Sequence, residues 1–371
     1  MGETGVKTLM IAGGGTGGHI YPAIAIAREY VARDASRKVV FVGTQRGLEK
    51  TIVPKAGFPL EFIDVAGLKG MRGFNLLRNL ARLPLGFIQA WKHVGHHRPN
   101  VVLGVGGYSS GRVLVAAKLR GIPTIIHDAN AFPGLANRVL ARWVTPVAAA
   151  FAEALPRMKR KDGVVTGNPI RQEFFDLGAK PRPPKGDRQR LLIFGGSQGS
   201  RVLNEAMSAA LLFLAPLRDK LEIVHQTGPH DLEKVQESYR QSNFAPALTS
   251  IRVVPYLDPI ADEIAAADLV VCRAGAMTIG ELAAIGRAAV LVPFGAATNN
   301  HQELNARVVE KAGGAVVITE SELSPEKLAR TITEVLADPH RAERMGAAAK
   351  QLAVPDATKS IVDLIAKIQR D

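Results

Sequence analysis

The feature that most constrains this chain is a local pattern that occurs twice. Thr8-Leu-Met-Ile-Ala12 is a short apolar run, followed by the glycines between Gly13 and Gly18 and then by residues 20–30, rich in alanine and isoleucine. The pattern returns as Leu191-Leu-Ile-Phe194, then Gly195-Gly-Ser-Gln-Gly199, then a segment with Val202, Leu203, Ala206 and Ala210 at helical spacing. A buried strand, a glycine turn and a helix make the opening unit of a doubly wound sheet, because parallel strands must be joined by a crossover, usually a helix. Further strand-like runs at 39–42, 101–103, 124–126 and 163–166, and then at 221–224, 251–254, 269–271, 289–292 and 315–318, keep the rhythm with helix-length segments between them. The expected fold is therefore α/β, with two Rossmann-like doubly wound domains of parallel strands. A length of 371 residues suits two domains. The hinge is expected at 168–171, and the proline-rich, charged Lys180-Pro-Arg-Pro-Pro-Lys-Gly-Asp187, which can continue neither core, lies just inside the second domain.

Composition narrows the function classes. Hydrophobic residues make up 47% and charged residues 22%, enough apolar surface for packed cores and unlike a disordered chain. No run of 18 uninterrupted apolar residues occurs, and the stretch 9–27 is broken by glycines, Thr16, His19 and Pro22, so neither a spanning helix nor a signal peptide is expected. The one cysteine, Cys272, allows no internal disulfide and no cysteine-based zinc site; a reducing, cytoplasmic compartment is expected. The net charge of +13 is confined to one half: residues 1–167 carry 23 Lys+Arg and 9 Asp+Glu (+14), and residues 168–371 carry 24 and 25 (−1). A basic domain beside a neutral one points to an anionic surface, nucleic acid or membrane, against the plain alternative of a basic but unpartnered surface.

Ligands of open α/β sheets bind beyond the carboxyl ends of the strands, so the active site is expected in a cleft between the two domains. Gly13, Gly15 and Gly18 match the dinucleotide spacing, but the second strand runs out through Val42-Gly-Thr-Gln45 without the acid that would bind a ribose, which argues against a nicotinamide cofactor. The loop chemistry itself suits a diphosphate, since glycines admit close approach to backbone N–H groups and the helix N-terminus is partially positive. Thr16 and His19 add side chains there, and Ser197 and Gln198 furnish a second cradle. Glycine loops that serve only tight strand-to-helix packing are the alternative. Gly104-Val-Gly-Gly-Tyr-Ser-Ser-Gly111 repeats this chemistry, with Tyr108, Ser109 and Ser110 expected to be exposed, and His127-Asp-Ala-Asn130 falls at another strand end. Thr278 and Glu281, three apart on a helix, suit a nucleoside clamp in which the acid accepts both ribose hydroxyls; a capping box uses the same spacing. The polar segment 295–305 reads as a binding loop.

The ordered set Gly14-Gly-Thr-Gly-Gly-His19, Gly104 to Gly111, Gly167-Asn-Pro-Ile-Arg171, Gly195 to Gly199, Cys272 to Glu281, His301-Gln302, Asn305-Ala306 and Pro355-Asp-Ala-Thr358 resembles the MurG glycosyltransferases over nearly the whole chain. That resemblance implies a GT-B fold whose two domains face each other across a cleft. It implies an inverting hexosyltransferase that moves N-acetylglucosamine from UDP-GlcNAc to the 4-hydroxyl of a lipid-linked muramyl-pentapeptide, forming a β-1,4 linkage in peptidoglycan synthesis. By position it assigns donor contacts to Thr16, Gly17, Gly18, Asn130, Arg171, Ser197, Leu257, Ala276, Met277, Thr278, Glu281, His301 and Gln302, and places Gly14, Gly15, Tyr108, Ser109 and Asn305 on the acceptor side. The expected division is an acceptor- and membrane-facing domain at 1–170, to which a C-terminal helix at 355–371 returns, and a UDP-GlcNAc domain at 171–354. The family carries His-Glu-Gln-Asn where this chain has His127-Asp-Ala-Asn130, so only His127 and Asn130 carry over.

A membrane face is expected in 68–98, where Leu68, Phe74, Phe87, Ile88 and Trp91 interleave with Arg72, Arg78 and Arg82, as on a protein lying on an anionic leaflet. A core-facing helix with solvated basic residues is the alternative. No nucleic-acid-binding motif appears, so nucleic acid is not an expected partner; other cell-wall proteins remain possible partners, and the expected location is the cytoplasmic face of the cell membrane. His19 is the expected base and His127 the second choice, with Arg171, Ser197 and the helix after Gly199 stabilising the departing diphosphate. No cofactor is required by the sequence and no metal ligands are assigned, a divalent cation staying open. A UDP-sugar epimerase and a non-catalytic UDP-sugar-binding regulator are the competing readings.

Overall fold

The computed structural model describes residues 6–15, 17–64, 83–144, 146–181, 187–242, 244 and 250–369. The chain divides into two compact units, Met1–Ile170 with Asp356–Asp371, and Arg171–Pro355.

The first unit is built on seven parallel strands: β1 (Thr8–Gly13), β2 (Lys38–Gly43), β3 (Leu60–Phe62), β4 (Val101–Gly106), β5 (Thr124–Asp128), β6 (Val147–Ala149) and β7 (Val164–Val165). Their order is β3-β2-β1-β4-β5-β6-β7. Strands covered on both faces read as continuous apolar runs, and Leu9, Met10, Ile11 and Ala12 are all fully buried. The period of two still sorts them. Leu9 and Ile11 pack with Ile20, Ala23, Ala27 and Tyr30 of the helix Gly17–Ala32 and with Ile361, Val362 and Ile365 of the C-terminal helix Ala357–Ile368. Met10 and Ala12 pack with Ala90 and Val94 of the helix Leu83–His97 and with Val113, Leu114 and Ala117 of the helix Tyr108–Leu119. Each large side chain so buried contributes about 1.5–3 kcal/mol. The C-terminal helix is also pinned by polar contacts: Arg33 reaches Asp363 at 2.5 Å, and Gln369 donates to the Tyr30 hydroxyl at 2.5 Å.

The second unit holds six parallel strands: β8 (Gln189–Phe194), β9 (Leu221–Gln226), β10 (Ile251–Val254), β11 (Leu269–Cys272), β12 (Ala289–Leu291) and β13 (Ala315–Val317). Their order is β10-β9-β8-β11-β12-β13. Leu191, Ile193, Leu269, Val271 and Val290 form one core with Leu203, Met207 and Leu211 of the helix Arg201–Leu214 and with Leu328, Ile332 and Val335 of the helix Pro325–Leu336. Beneath the first turn lies a satisfied polar group. His225 bonds Tyr239 Oη through Nδ1 at 2.9 Å and Asn204 Oδ1 through Nε2 at 3.1 Å, and burial lowers its pKa to about 3, so it is a neutral structural histidine.

In both sheets the strand order reverses beside the first strand of the unit, between β1 and β4 and between β8 and β11. The crevice at the carboxyl ends of those strand pairs is where doubly wound sheets bind ligands.

Candidate functional site

At the first switch point two glycine loops crowd together. The β1–β4 register shifts between Ala12 and Gly13. A Cβ on Gly107 (φ +84°) would stand 2.6 Å from the Gly14 carbonyl oxygen, so the loops after β1 and β4 touch at backbone distance. A Cβ on Gly106 (φ +99°) would stand 2.9 Å from Cε1 of His19. The missing side chain is therefore the seat of the imidazole, which rides half-buried in the first turn of the helix Gly17–Ala32. Gly15 and Gly18 are exposed and Gly14 is buried.

Glu49, which sequence reasoning missed, organises this mouth from the far side of β2. It is 1% exposed; its Oε2 accepts the Gly15 N–H at 2.9 Å, and its Oε1 accepts the Thr44 N–H at 2.8 Å and the Thr44 hydroxyl at 2.9 Å. Cβ atoms on Gly14, Gly43 or Gly47 would lie within 2.6 Å of its side chain, so three glycines make room for one carboxylate. The signal in the sequence was an acid preceded by Gly43 and Gly47 just past a strand that ends without one.

The strand-end cluster at 127–130 differs from expectation. His127 is 1% exposed, its Nε2 donates to the Gly167 carbonyl at 3.1 Å, and burial, helped by the nearby His19, lowers its pKa to about 4. Through Nε2 the buried ring is committed to this backbone carbonyl, which braces the loop at Gly167. Asp128 is buried, accepting from the Asn130 and Gly134 N–H groups at 3.0 Å each and from Asn137 Nδ2 at 2.8 Å. It shapes the loop that presents the half-buried Asn130. Ser109 and Ser110 are buried at 1% and 0%, not exposed, because they enter the helix Tyr108–Leu119 facing the sheet, where a Cβ on Gly104 would meet Ser110 Oγ at 2.5 Å. Thr16 and the side chain of Tyr108 lie outside the described residues.

At the second switch point the loop after β8 is a tight turn with Gly196 at φ +94° and Gly199 at φ +75°. Gln226, at the end of β9, donates to the Gly196 carbonyl at 3.0 Å and to the Pro255 carbonyl at 3.2 Å. Ser197 and Gln198 stand exposed, and Ser200 caps the following helix by accepting from the Leu203 N–H. Beyond β11 the helix Ala276–Ile285 is capped by Gly275, which places Thr278 inside the first turn and removes the capping-box reading of Thr278 and Glu281. Arg171 stacks over the Phe174 ring at 4.8 Å and reaches Glu173 at 2.8 Å and Glu281 at 3.9 Å. Burial raises the Glu281 pKa to about 7, with Arg171 opposing the shift and Glu173 adding to it. Burial also pushes the Cys272 thiol up, so it is inert at neutral pH. Ala276 and Leu257 are buried, while Met277, Thr278, His301 and Gln302 are half-buried.

Two further loop braces stand nearby. Gln302 Oε1 accepts the Phe294 N–H at 3.0 Å, and Arg273 bonds the Val292 and Pro293 carbonyls at 3.2 Å each and Glu320 at 2.6 Å. Asn305, expected on the acceptor side, is fully buried in this unit with Nδ2 on the Ala274 carbonyl at 3.4 Å, so it supports the loop after β11 instead.

Leu68, Arg72, Phe74, Arg78 and Arg82 lie outside the described residues. On the helix Leu83–His97, Phe87 is partly buried against the core, whereas Leu85, Ile88 and Trp91 are exposed and Arg120 stacks over Trp91 at 4.0 Å. A second exposed apolar stripe, Leu135, Val139 and Trp143 at i, i+4 and i+8, lines a pocket with Arg138, Arg142, Arg157 and Lys159. Its helical spacing was present in the sequence. Among the described residues no helix is long and apolar enough to cross a membrane.

Two doubly wound parallel sheets, each opening on a glycine turn, with a carboxylate and a guanidinium at the second switch point, define a nucleotide-sugar enzyme of the GT-B class. Residues 9–149 match the glycosyltransferase family 28 N-terminal domain and residues 190–361 its C-terminal domain. A UDP-N-acetylglucosamine–N-acetylmuramyl-(pentapeptide) pyrophosphoryl-undecaprenol N-acetylglucosamine transferase of Anaeromyxobacter sp. (strain K) is 46% identical, the alignment covering 98% of this chain and 93% of that one. The crystal structure of Acinetobacter baumannii MurG superposes with a TM-score of 0.79 at 31% identity, covering 97% and 99% of the two chains. A putative UDP-N-acetylglucosamine 2-epimerase from Listeria monocytogenes, with TM-score 0.68 and coverage of 98% and 96%, is only 14% identical and shares the fold alone. The chain belongs to the MurG family of glycosyltransferases.

Proposed function

We propose that this chain transfers N-acetylglucosamine from UDP-GlcNAc to the 4-hydroxyl of the muramyl residue of undecaprenyl-pyrophosphoryl-MurNAc-pentapeptide, with inversion, in peptidoglycan synthesis. The observation that carries the donor assignment is the set at the second switch point: Glu281 with Arg171 at 3.9 Å, and the exposed turn at Ser197 and Gln198. Glu281 accepts the ribose hydroxyls, and Arg171, Ser197 and the N-terminus of the helix Arg201–Leu214 take the negative charge of the diphosphate. Thr16, Gly17, Gly18, Asn130, Leu257, Ala276, Met277, Thr278, His301 and Gln302 complete the donor contacts, and Gly14, Gly15 and Tyr108 belong to the acceptor side.

His19 is the base. As the acceptor oxygen bonds to the anomeric carbon, its proton passes to the imidazole, and the carbon–oxygen bond to UDP breaks with its electron pair leaving on the diphosphate. Attack from the face opposite UDP gives the β linkage. An imidazole seated on Gly106 loses little rotational freedom, which supports positioning of the base. His127, neutral beneath it, adds no competing positive charge. A divalent cation has no assigned ligands in this reading.

The acceptor's prenyl chain stays in the bilayer, so the protein works as a peripheral protein on the cytoplasmic face of the cell membrane. Leu85, Ile88 and Trp91 beside Arg120, and Leu135, Val139 and Trp143 among four basic residues, support this reading, since each basic residue near an anionic leaflet is worth roughly 1 kcal/mol. Incubation with UDP-GlcNAc, with and without the lipid-linked acceptor, tests it. Acceptor-dependent UDP release is expected; conversion to another UDP-sugar without acceptor, or no turnover at all, refutes transfer.

A further inference from the structure

Glu61 on the edge strand β3 and His93 and His97, one turn apart on the helix Leu83–His97, gather three potential ligand atoms within 4.8 Å of one another, and the transferase reading uses none of them. All three side chains are partly buried. His93 Nε2 bonds the Phe62 backbone carbonyl at 3.2 Å. A carbonyl only accepts, so this nitrogen carries the proton and the other, Nδ1, turns toward Glu61 Oε2 at 3.4 Å. In the neutral ring a lone pair then faces a carboxylate, an arrangement that needs positive charge between the two atoms.

A proton would draw them to about 2.7–2.9 Å, the usual length of a charge-assisted N–H···O bond. The observed spacing instead matches the edge of a tetrahedron around a metal, which for metal–ligand bonds of about 2.0–2.2 Å is roughly 3.3–3.5 Å. His97 Nε2 lies 2.8 Å from Glu61 Oε1, and the His96 ring meets the His97 ring edge-on at 4.8 Å, which helps to orient it. The bond from His93 to the Phe62 carbonyl is the outer-shell contact that fixes the tautomer of a metal-ligating histidine.

We propose that Glu61, His93 and His97 form a binding site for a divalent metal ion of the zinc class, which fastens the helix Leu83–His97 to the edge strand β3. Two imidazoles and one carboxylate suit a borderline ion and leave the fourth tetrahedral position to water. For the ion to take His97 Nε2, a neutral ring shifts its proton to Nδ1, and a doubly protonated ring releases its Nε2 proton to solvent and keeps the one on Nδ1. The site lies on the helix that carries Ile88 and Trp91 but shares no residue with the proposed donor or acceptor contacts, so it stands or falls separately from them.

The test uses the full, tag-free chain freed of metal by a chelator and then titrated with Zn2+ by calorimetry and with Co2+ followed by visible absorption. One equivalent of Zn2+ is expected to bind and to raise the melting temperature, and Co2+ is expected to give the intense bands of a tetrahedral complex. Glu61→Gln, His93→Ala and His97→Ala should each weaken Zn2+ at least roughly tenfold, the scale at which even outer-shell changes act. Glu61→Gln keeps the shape of the side chain, so its result is readable should an alanine variant fold poorly. Absence of saturable Zn2+ binding, or variants that bind it like the parent, overturns the proposal and leaves the three residues as an ion pair between helix and strand.

Discussion

Replacing Glu49 with alanine strips the Gly15 N–H, the Thr44 N–H and the Thr44 hydroxyl of their acceptor in a place only 1% exposed. An unsatisfied buried group costs about 1–3 kcal/mol, and water entering the vacated space recovers part of that. A net loss of about 3 kcal/mol is the working figure, counting one full penalty and two partial ones. A unit of this size moves by about 2–4 °C per kcal/mol, so the melting transition should fall by roughly 6–12 °C in differential scanning calorimetry. Glu49→Gln should fall less, because its amide oxygen still accepts one N–H while its NH2 confronts the other donor. The same loop carries His19 two residues beyond Gly17, so both variants should lower kcat more than they raise KM for UDP-GlcNAc. An alanine variant melting within about 2 °C of the parent, with normal turnover, would falsify the claim that this carboxylate holds the loop.

Glu281→Ala should weaken UDP binding by about 1.5–3 kcal/mol, the scale of hydrogen bonds to a charged group; unchanged calorimetric affinity in a folded variant refutes the ribose contact. Because the Glu281 pKa is raised to about 7, the folded state holds its proton more tightly than the unfolded chain, so this group's stabilising contribution is full below the ordinary carboxylate range and is lost as pH rises through 7. Glu281→Gln should therefore raise the melting temperature at pH 8 and leave it unchanged at pH 4, and uridine, which has no phosphate to titrate, should bind the parent more tightly at pH 8 than at pH 6. His19→Ala should slow turnover by about 10² to 10⁴; near-normal turnover moves the base elsewhere. Arg142→Glu with Lys159→Glu should reduce sedimentation with anionic vesicles at low salt, where the basic contribution is unscreened, while Trp143→Ser should remove what persists at high salt; parent-like sedimentation of all three removes this patch from the membrane face.

The strands that carry the switch points were legible because buried parallel strands announce themselves as unbroken apolar runs. Two strands were not: β3, three residues at the sheet edge following Pro59, and β6, Val147-Ala-Ala149, where alanines give little strand signal although the segment is fully buried. Loop chemistry was harder to read than strands. A serine or an asparagine at a strand end looks the same in sequence whether it faces a ligand or the protein: Asp128 and Asn305 turned inward to satisfy backbone groups that a buried loop must pair, and Ser109 is buried against the sheet with its hydroxyl unpartnered. Glu49 and the His93–His97 pair were overlooked because their partners, Gly15 and Glu61, are brought to them only by the sheet order.

The two glycine turns, alike in sequence, are held with opposite polarity, and this separates their roles. In the first unit the brace is a carboxylate that consumes the N–H of Gly15 and puts a negative charge behind the loop. In the second unit the brace is the Gln226 amide, which takes the Gly196 carbonyl and adds no charge. A diphosphate seeks N–H groups and positive potential. At the first loop it would meet a donor already spent and a buried anion a few ångströms away, a repulsion of a few kcal/mol for unit charges at that range even when the medium is as polarisable as a protein surface. At the second it meets an uncharged turn, the end of a fourteen-residue helix and the guanidinium of Arg171. The electrostatics thus favour the second unit for the donor's diphosphate, and favour the first for a neutral acceptor hydroxyl whose proton passes to an imidazole, since a negative charge behind the loop stabilises the imidazolium that forms. Exchanging the braces tests this directly: Gln226→Glu should weaken UDP binding far more than it weakens uridine binding, since only the diphosphate would feel the added charge, and equal losses for both ligands would show that the brace acts through loop shape instead.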